Sequence, residues 1–356
     1  MSAKNRGRAQ EAASTTAELA TLAEIVERFS SKKIVLFGDF VADEFQYGEI
    51  SRVSREAPVL ILKHRETYLV PGGGANAANN LAALGAYVRA ITVVGDDTAG
   101  EALVEYFRAH GMETSGIVRA KGWVTPTKAR FLAGWAHTTA QQVLRVDREP
   151  NSAPPDADLK RAHTKLAGAL KNADALAISD YGFGIAEPRS LATILKRAKK
   201  PAHVTLDTRY QLNAYARVGI TSATPNEAEL ESLHHTTIAR NTAELKRCGE
   251  ATLAQMKLDS LLVTRGRDGM ALFERRSARV TQIPIHGNEQ AVDVTGAGDT
   301  VLATYTLALT CGASFLEAAH LANIAGGLVV MKRGTATVSR KELLDAIRRD
   351  ISGGAN

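Results

Sequence analysis

The chain has 356 residues, of which 45% are hydrophobic and 5% aromatic, so it is long enough for one large domain with a substantial core. Its formal net charge of +6 suits small anionic ligands such as nucleotides and sugar phosphates. The basic residues are scattered along the chain, which argues against a nucleic-acid-binding protein. No apolar stretch has the length of a signal peptide or a membrane span, so we expect a cytoplasmic protein without a membrane partner.

Cysteine and histidine usage argues against a disulfide framework or a structural metal site. Cys248 and Cys311 have neither a metal-ligand spacing nor a CxxC spacing, and we expect both to be reduced. The adjacent pair His234 and His235 is better explained as a surface pair than as metal ligands.

The N-terminal segment differs in composition from the rest of the chain. Residues 1 to about 15 are rich in Ser, Thr, Ala and charged residues, which predicts a disordered tail. A helix is predicted from Ala17 to Phe29, because apolar residues recur there at helical spacing. We therefore divide the chain into a tail and helix at 1–31 and a single domain at 32–350.

Short apolar runs alternate with helical patterns through most of that domain. This rhythm predicts an α/β fold in which helices cover both faces of a mostly parallel sheet, a three-layer α/β/α arrangement. The predicted strands are Ile34–Phe37, Ile91–Val94, Ala175–Ser179, Val204–Asp207 and Leu261–Thr264. The predicted helices are Ala75–Leu84, Gly100–His110, Leu159–Lys171, Pro188–Lys199 and Thr242–Lys257.

Two segments, from about 45 to 64 and from about 127 to 146, break the rhythm with strand-like stretches that lack a helical period. We interpret them as a small β-sheet inserted as a lid. Because exposed strand edges can pair across a two-fold axis, the lid also predicts a homodimer.

Asp293-Val294-Thr295-Gly296-Ala297-Gly298-Asp299 carries the strongest chemical signal. Its glycines let backbone N–H groups approach an anion, and a helical pattern begins directly afterwards. Such an arrangement can stabilise a transferred phosphoryl group while Asp299 accepts a proton from the attacking hydroxyl. Taken alone, the same residues would also make an ordinary tight turn with an acidic residue at a helix start.

Two further loops pair glycine or strand ends with polar side chains. Pro71-Gly72-Gly73-Gly74-Ala75-Asn76 opens a helix, so its backbone could touch a ligand and Asn76 could bind a hydroxyl, although a plain capping loop fits equally well. Asp39 and Asp43 follow the first predicted strand, where ligands bind in open α/β sheets. They could hold vicinal hydroxyls or be surface residues of a turn.

Thr224-Pro225-Asn226-Glu227-Ala228-Glu229 and Thr264-Arg265-Gly266-Arg267-Asp268-Gly269 each follow a strand. Asn226 and Glu229 could hold Mg²⁺ through water, or form a helix N-cap with a glutamate at the third position. The second segment could line a nucleotide or form a hairpin turn. The chain contains no GxxxxGK[ST] and no GxGxxG after the first strand, which excludes P-loop and dinucleotide-binding Rossmann proteins.

In order and spacing these segments resemble the ribokinase family, the carbohydrate kinases of the phosphofructokinase B type, from about residue 32 to 345. Residues 293–299 match the most specific signature of that family and residues 71–76 the second. Within the family the chain is most similar to the heptose 7-phosphate kinases of lipopolysaccharide-core biosynthesis. That similarity is carried by Gly38-Asp39 with Asp43 and Tyr47-Gly48, and by 51–59, 127–130, 145–149 and 179–182.

The resemblance implies ATP-dependent phosphorylation of D-glycero-β-D-manno-heptose 7-phosphate at the anomeric O1, on the route to ADP-heptose. Asp299 would be the base and Gly296, Ala297 and Gly298 the anion hole. ATP and Mg²⁺ would face Asn226, Glu227, Ala228 and Glu229, with Glu229 nearest the metal through water, and Thr264, Gly266, Gly269 and Asn323 would line the nucleotide site. Asp39, Asp43, Gly72, Gly73, Asn76, Lys128 and Arg130 would surround the sugar. A monovalent-cation requirement stays open.

Charge adds one expectation, and two departures from the family pattern stand out. Arg52 and Arg55 in the lid would suit the phosphate that the sugar already carries, unless they are merely exposed lid charges. Phe183 stands where the family often has a lysine, so another cation would have to replace that lysine. The chain contains no HxGH motif, so we expect a kinase only, with a separate nucleotidyltransferase.

Three alternatives remain beside this interpretation. The same fold could phosphorylate another sugar, sugar phosphate or nucleoside, which a substrate panel would distinguish. A sugar-binding regulator without catalysis is disfavoured by the complete Gly296–Asp299 segment. A nucleic-acid-binding protein is suggested only by the high pI and would show salt-sensitive DNA binding.

Overall fold

The computed structural model describes residues 17–135, 138, 140–277, 279–287 and 290–353. The disordered tail predicted for residues 1 to about 15 lies outside the described residues. Residues 17–27 form helix α1, which continues into a 3-10 turn at Arg28–Ser31. Ile25, Val26 and Phe29 are fully buried in the main apolar core. The helix is therefore part of the packed domain rather than an appendage to it.

A nine-stranded sheet organises the described part of the chain, in the order β13-β12-β11-β10-β9-β8-β1-β4-β5. All neighbours are parallel except for the β11–β12 and β12–β13 pairs, which form an antiparallel edge. The strands are β1 (Lys33–Gly38), β4 (Tyr87–Gly95), β5 (Ile117–Ala120), β8 (Ala175–Asp180), β9 (His203–Thr208), β10 (Ser222–Ala223), β11 (Ser260–Thr264), β12 (Met270–Glu274) and β13 (Thr281–Ile283).

A second, four-stranded sheet forms the lid, in the order β3-β2-β6-β7. Its strands are β2 (Phe40–Val53), β3 (Leu60–Gly73), β6 (Thr127–Gly134) and β7 (Gln141–Arg148). The predicted lid segments fall within this sheet, but β2 and β3 extend further toward the domain. Strand β2 begins directly after β1, and β3 leads directly into the helix at Gly74–Ala83. The lid is therefore connected to the central sheet at the carboxyl end of β1.

Helices cover both faces of the central sheet, and each face has its own apolar core. Along β1, Ile34 and Leu36 lie in one core while Val35 and Phe37 lie in the other, as the alternation of a strand requires. The predicted three-layer α/β/α architecture with a small lid is therefore confirmed. The remaining helices are α2 (Gly74–Ala83), α3 (Thr98–Ala109), α4 (Asp156–Ala169), α5 (Pro188–Arg197), α6 (Glu227–His234), α7 (Thr242–Met256), α8 (Ala297–Thr310), α9 (Phe315–Val329) and α10 (Arg340–Gly353).

Cys248 and Cys311 are buried, free thiols. Among the described residues, no helix combines the length and the apolar character needed to span a membrane.

Candidate active site

The carboxyl ends of four neighbouring parallel strands, β8 to β11, meet the start of helix α8 beneath the lid. Asp180, Thr224 and Thr264, at or just after these strand ends, line one cavity of about 560 Å³ together with Asp299 of α8. Open α/β sheets bind ligands at this edge, because loops diverge there and leave a crevice. The strongest sequence motif thus lies where the fold predicts a site.

Asp299 is buried in the first turn of α8 and accepts two side-chain hydrogen bonds. Nδ2 of Asn76 donates to Oδ2 over 2.9 Å, and the hydroxyl of Tyr181 donates to Oδ1 over 3.0 Å. Burial raises the pKa of Asp299 to about 7, against the lowering effect of these two bonds. A carboxylate of that pKa is a far better proton acceptor near neutral pH than an exposed aspartate.

The amide of Asn76 is fixed in the orientation that Asp299 needs. Nδ2 of Asn80, one turn further along α2, donates to Oδ1 of Asn76 over 3.1 Å. The hydroxyl of Thr300 in turn donates to Oδ1 of Asn80 over 3.0 Å. Because the oxygen of Asn76 is engaged, its NH₂ group faces Asp299. The small residues of α2 let this helix approach α8 closely enough for these hydrogen bonds to form.

Gly296 explains why the turn before Asp299 needs glycine. Its φ of 77° lies in the left-handed region, and a Cβ there would stand 2.5 Å from Nδ2 of Asn76. The N–H of Ala297 bonds back to the carbonyl of Val294 over 3.3 Å. The donors available to an anion are therefore those of the next helical residues, beginning with Gly298, where the helix dipole also favours negative charge.

Asp43 lies on the lid side of the cavity and is held by two partners. Oδ1 accepts from Arg130 over 2.6 Å, and Oδ2 accepts from the hydroxyl of Thr335 over 2.6 Å. A Cβ on Gly72 would stand 2.6 Å from Oδ2 of Asp43, so this position must remain a glycine. The neighbouring Gly73 has a φ of 55°, and a Cβ there would stand 3.2 Å from the ring of Tyr181. Gly72 thus packs against Asp43, while Gly73 and Asn76 lie beside Tyr181 and Asp299 respectively.

Asp39 has a different position from the one expected for a sugar ligand. It is fully buried, and its two oxygens accept the backbone N–H groups of Tyr181, Phe183 and Ile185 over 2.8, 3.0 and 3.1 Å. Burial, followed by the nearby charge of Asp180, raises the pKa of Asp39 to about 7. Both carboxylate oxygens are therefore used inside the protein, where they shape the loop that carries Tyr181. We withdraw Asp39 from the sugar-binding set.

Arg52 and Arg55 are also far from the site that the sequence suggested. Both are exposed at the outer end of the lid. Arg52 lies nine residues beyond Asp43 on β2, about 30 Å at the rise of an extended strand. This distance exceeds the length of a sugar phosphate bound at Asp299, so the prediction that these arginines hold its phosphate is wrong within one chain.

A second, mostly apolar cavity of about 190 Å³ adjoins the larger one and shares Thr264, Gly266, Val294 and Gly298 with it. Thr264, Gly266, Gly269 and Asn323, which the resemblance assigns to the nucleotide, all line this cavity. Nδ2 of Asn323 donates to the carbonyl of Pro284 over 2.7 Å, which fixes this wall. The apolar lining also includes Met270, Ile285, Val294, Val301 and Val330. The turn at Gly266–Asp268 is at the same time the hairpin connection between β11 and β12.

Asn226 and Glu229 both line the larger cavity and also form a helix cap. Oδ1 of Asn226 accepts the N–H of Glu229 over 2.8 Å, and Oε2 of Glu229 accepts the N–H of Asn226 over 2.9 Å. The remaining oxygen of Glu229 is left to the cavity. Glu227 instead pairs with Nε of Arg265 over 2.6 Å, and Ala228 is exposed, so neither lines the cavity.

Asp207 was missed by the sequence analysis as a site residue. It lies one residue before the end of β9 and belongs to no recognisable motif, yet it lines the cavity with Glu229 and Asp299. Burial, followed by the charge of Glu229, raises the pKa of Asp207 well above its usual range. Burial also raises the pKa of Glu229 to about 6. The hydroxyl of Thr224 is buried beside them without a partner among the described residues.

These groups fit a magnesium–triphosphate. Carboxylate and hydroxyl oxygens are the donors that Mg²⁺ prefers, and Mg²⁺ usually takes only one or two protein ligands beside waters and phosphate. Within the described residues, no group of three or more His, Cys, Asp or Glu forms a ready-made metal site. The unpartnered Thr224 hydroxyl, the second oxygen of Glu229 and the carboxylate of Asp207 are among the polar groups that could meet such a ligand.

Comparison with known proteins agrees with this geometry. The family profile described as pfkB family carbohydrate kinase matches residues 31–342. The bifunctional protein HldE of Paramagnetospirillum magneticum is 37% identical over 338 residues, which cover 94% of this chain and 67% of that protein. HldE of Geobacter metallireducens is 38% identical over 319 residues, covering 88% of this chain and 62% of that protein. The chain thus spans about two thirds of the length of the curated relatives it matches.

Solved structures with low sequence identity share the fold. Phosphofructokinase-2 from Escherichia coli in complex with substrates and products superposes with a TM-score of 0.73 at 20% identity, covering 91% of this chain and 100% of that chain. Arabidopsis thaliana ribokinase complexed with ribose and ATP gives 0.67 at 21% identity, covering 89% and 99%. Fold, family profile and site geometry agree: the chain belongs to the pfkB family of carbohydrate kinases and is a sugar kinase.

Proposed function

We propose that this kinase transfers the γ-phosphoryl group of ATP to the anomeric hydroxyl of D-glycero-β-D-manno-heptose 7-phosphate. The observation that carries the transfer chemistry is Asp299, a buried carboxylate with a pKa of about 7 that lines the larger cavity. The choice of heptose is supported by the similarity to HldE proteins. It is also supported by the lid sequences at 51–59 and 145–149.

In the proposed mechanism Asp299 accepts the proton of the attacking hydroxyl. Asn76 and Tyr181 hold the carboxylate so that an oxygen faces the sugar. The N-terminus of α8, from Gly298 onward, stabilises the charge that develops on the transferred group. Phosphoryl transfer passes through a loose transition state, so positioning and charge neutralisation contribute more than early deprotonation. Closure of the lid over the sugar would limit hydrolysis of ATP by water.

ATP would occupy the apolar cavity with its base, and its phosphates would extend toward Asp299 through the larger cavity. Glu229, together with the hydroxyl of Thr224, would hold Mg²⁺ through water, and the ion would supply neutralisation of phosphate charge. Asp43, Gly72, Gly73, Asn76, Lys128 and Arg130 remain the proposed sugar-binding residues. The cytoplasm, where ATP is available, is the proposed location, and a nucleotidyltransferase that uses the bisphosphate belongs to the same proposal.

The lid supports the proposal of a homodimer. Among the described residues, several large apolar side chains of the lid are exposed, although a lid that only met solvent would be polar. They are Val53, Val59, Leu60, Tyr68, Trp135, Val143, Leu144 and Val146. A second copy of the lid sheet would cover this surface and protect its strand edges. Sedimentation at micromolar concentration tests the dimer, and a strict monomer would contradict it.

The function is tested by ADP release from purified protein with Mg-ATP and a panel of acceptors. The panel contains D-glycero-D-manno-heptose 7-phosphate, sedoheptulose 7-phosphate, fructose 6-phosphate, ribose and adenosine. We expect kcat/KM to be highest for the manno-heptose phosphate. A higher value for another acceptor would refute the substrate while leaving the sugar kinase in place.

A further inference from the structure

The segment between helices α9 and α10 contacts the lid at two consecutive residues. A Cβ on Gly334, whose φ is 69°, would stand 3.3 Å from the ring of Phe45, so the backbone passes directly against that ring. The hydroxyl of Thr335 donates to Oδ2 of Asp43 over 2.6 Å. Asp43 and Phe45 lie two residues apart on β2 and therefore share one face of the lid sheet. That face of β2 thus packs on residues 334 and 335.

The same segment is also fixed to the turn that precedes the catalytic helix. The N–H of Gly334 donates to Oδ2 of Asp293 over 2.9 Å. A Cβ on Gly296 would stand 3.3 Å from the methyl carbon of Thr335, so this methyl group lies against the turn before α8. Thr335 therefore contacts the turn that leads to Asp299 with its methyl group and the lid with its hydroxyl.

The other bond of the Asp43 carboxylate lies within the lid. Arg130 donates to Oδ1 of Asp43 over 2.6 Å, and it belongs to β6, which neighbours β2 in the lid sheet. The two residues of this pair therefore move together with the lid. Among the described residues, Thr335 is the only hydrogen-bond partner of the Asp43 carboxylate from outside the lid. Its hydroxyl directly connects this carboxylate to the main domain.

The Asp43 carboxylate can still accept hydrogen bonds from a ligand, and it lies near the proposed base. A carboxylate has about four lone-pair sites, of which Arg130 and Thr335 use two. Burial is the main cause of the raised pKa of Asp299, and the nearby charge of Asp43 adds to it. A sugar hydroxyl bound by Asp43 would therefore lie close to Asp299, and a shift of Asp43 would displace the sugar relative to that base.

We propose that Thr335 is a positioning residue for the acceptor sugar, because its hydroxyl fixes the Asp43 carboxylate, and with it the bound sugar, relative to Asp299. The inference rests on the proposed kinase activity and on Asp43 as a sugar-binding residue. It assigns to Thr335 no contact with the reacting atoms. Thr335 acts through Asp43 alone.

Removal of the Thr335 hydroxyl isolates this role. Valine has nearly the same shape as threonine, so Thr335→Val keeps the methyl contact with Gly296 and the backbone bond from Gly334. Asp43 would then be oriented by Arg130 alone, and the bound sugar would lose its alignment with Asp299. A misplacement of about 1 Å can lower the rate by about 10²-fold.

The test measures kcat and KM of Thr335→Val with the acceptor for which the wild-type protein has the highest kcat/KM. We expect kcat/KM for that acceptor to fall by about 10- to 100-fold, the range for a hydrogen bond to a charged group. Part of the loss should appear in kcat, because a misaligned acceptor binds without reacting efficiently. The KM of ATP should stay within about threefold of the wild type. Thr335→Ala, which places no methyl group beside the carboxylate, is a second variant and should show the same selective loss.

Two further variants serve as controls. Thr335→Ser keeps the hydroxyl and should retain kcat/KM within about threefold of the wild type. Thr337→Val makes the same substitution two residues further along the segment. Among the described residues the Thr337 hydroxyl forms no hydrogen bond, and the carbonyl of Thr337, which accepts Nζ of Lys332 over 2.7 Å, is unaffected by the change. This variant should keep the wild-type values.

A kcat/KM within about twofold of the wild type in Thr335→Val and Thr335→Ala would overturn the proposal. So would an equal loss in Thr335→Ser, which would show that the methyl packing matters, or an equal rise in the KM of ATP, which would show a general distortion. If the wild-type protein releases no ADP with any acceptor, the proposed function fails, and calorimetric binding of heptose 7-phosphate tests Thr335 by itself. Weaker binding to Thr335→Val would then sustain the inference, equal binding would overturn it, and no binding to the wild type would overturn both.

Discussion

Substitution of Tyr181 by phenylalanine isolates the hydrogen bond that this residue donates to Asp299 over 3.0 Å. Burial raises the pKa of Tyr181 well above its usual range, so the hydroxyl stays protonated and acts as a donor. A hydrogen bond to a charged group contributes about 1.5–3 kcal/mol, and one pKa unit corresponds to about 1.4 kcal/mol. Its loss would raise the pKa of Asp299 by at most about two units, and by about one if water fills part of the gap.

The direction of the effect follows from the role of a base. The wild-type kcat/KM should fall as the pH drops through about 7, because Asp299 becomes protonated there. In Tyr181→Phe the same midpoint should lie near pH 8, roughly one unit higher. At pH 7 the ionised fraction of Asp299 would drop from about one half in the wild type to about one tenth in the variant. The variant should therefore lose roughly fivefold in kcat/KM at pH 7 and recover it near pH 9.

The assay is the pH profile of kcat/KM from pH 5.5 to 9.5. Tyr106→Phe, which removes a hydroxyl bonded to Asn79 away from the site, is the control and should keep the wild-type midpoint. Glu229, with a pKa of about 6, is not bonded to Tyr181 and would not shift. An unchanged midpoint in Tyr181→Phe, or an equal loss at every pH, would refute the assignment of the acidic limb to Asp299.

Three further predictions concern stability and nucleotide binding. Asp39→Ala leaves three buried or partly buried N–H groups without an acceptor and should lower the free energy of unfolding by about 3 kcal/mol, measured by urea denaturation. Arg265→Ala breaks the 2.6 Å pair with Glu227 beside the nucleotide turn; steady-state kinetics should show a several-fold rise in the KM of ATP and little change for the sugar. Asp299 has its pKa raised from 3.8 to about 7 in the folded protein, so its ionisation costs stability as the pH rises through that window. The melting temperature of Asp299→Asn, relative to that of the wild type, should therefore rise as the pH increases from 5 to 8. A difference in melting temperature that stays constant over this range would contradict the burial of a charge.

The general architecture could be predicted because it is determined by patterns within short stretches of the sequence. Strands such as β1 are buried on both faces and appear as continuous apolar runs, and the helices between them show their own period. The Gly296–Asp299 segment could be predicted as a site for the same reason, since the glycine conformation and the helix start are set by neighbouring residues. The lid could be placed, but its strands proved longer than the alternation suggested.

What could not be predicted depends on contacts between distant segments. Asp39 and Asp43 both follow a strand in the sequence. Asp39 is buried because the loop that begins at Tyr181, far along the chain, donates backbone N–H groups to its carboxylate. Arg52 carries the charge that a phosphate requires, but it lies near the far end of the 14-residue strand β2 and is therefore distant from the site. Arg209 carries no motif, yet it lines the larger cavity together with Asp207 and Glu229. The rule that ligands bind at the carboxyl ends of parallel strands was the available signal for it.

The most direct test of the central claim is the turnover of Asp299→Asn with heptose 7-phosphate, measured beside calorimetric binding of Mg-ATP. The account predicts that kcat falls by roughly 10² to 10⁴, the contribution of a general base, while ATP binding stays nearly unchanged. A kcat within a few-fold of the wild type would show that another group accepts the proton and would contradict the account.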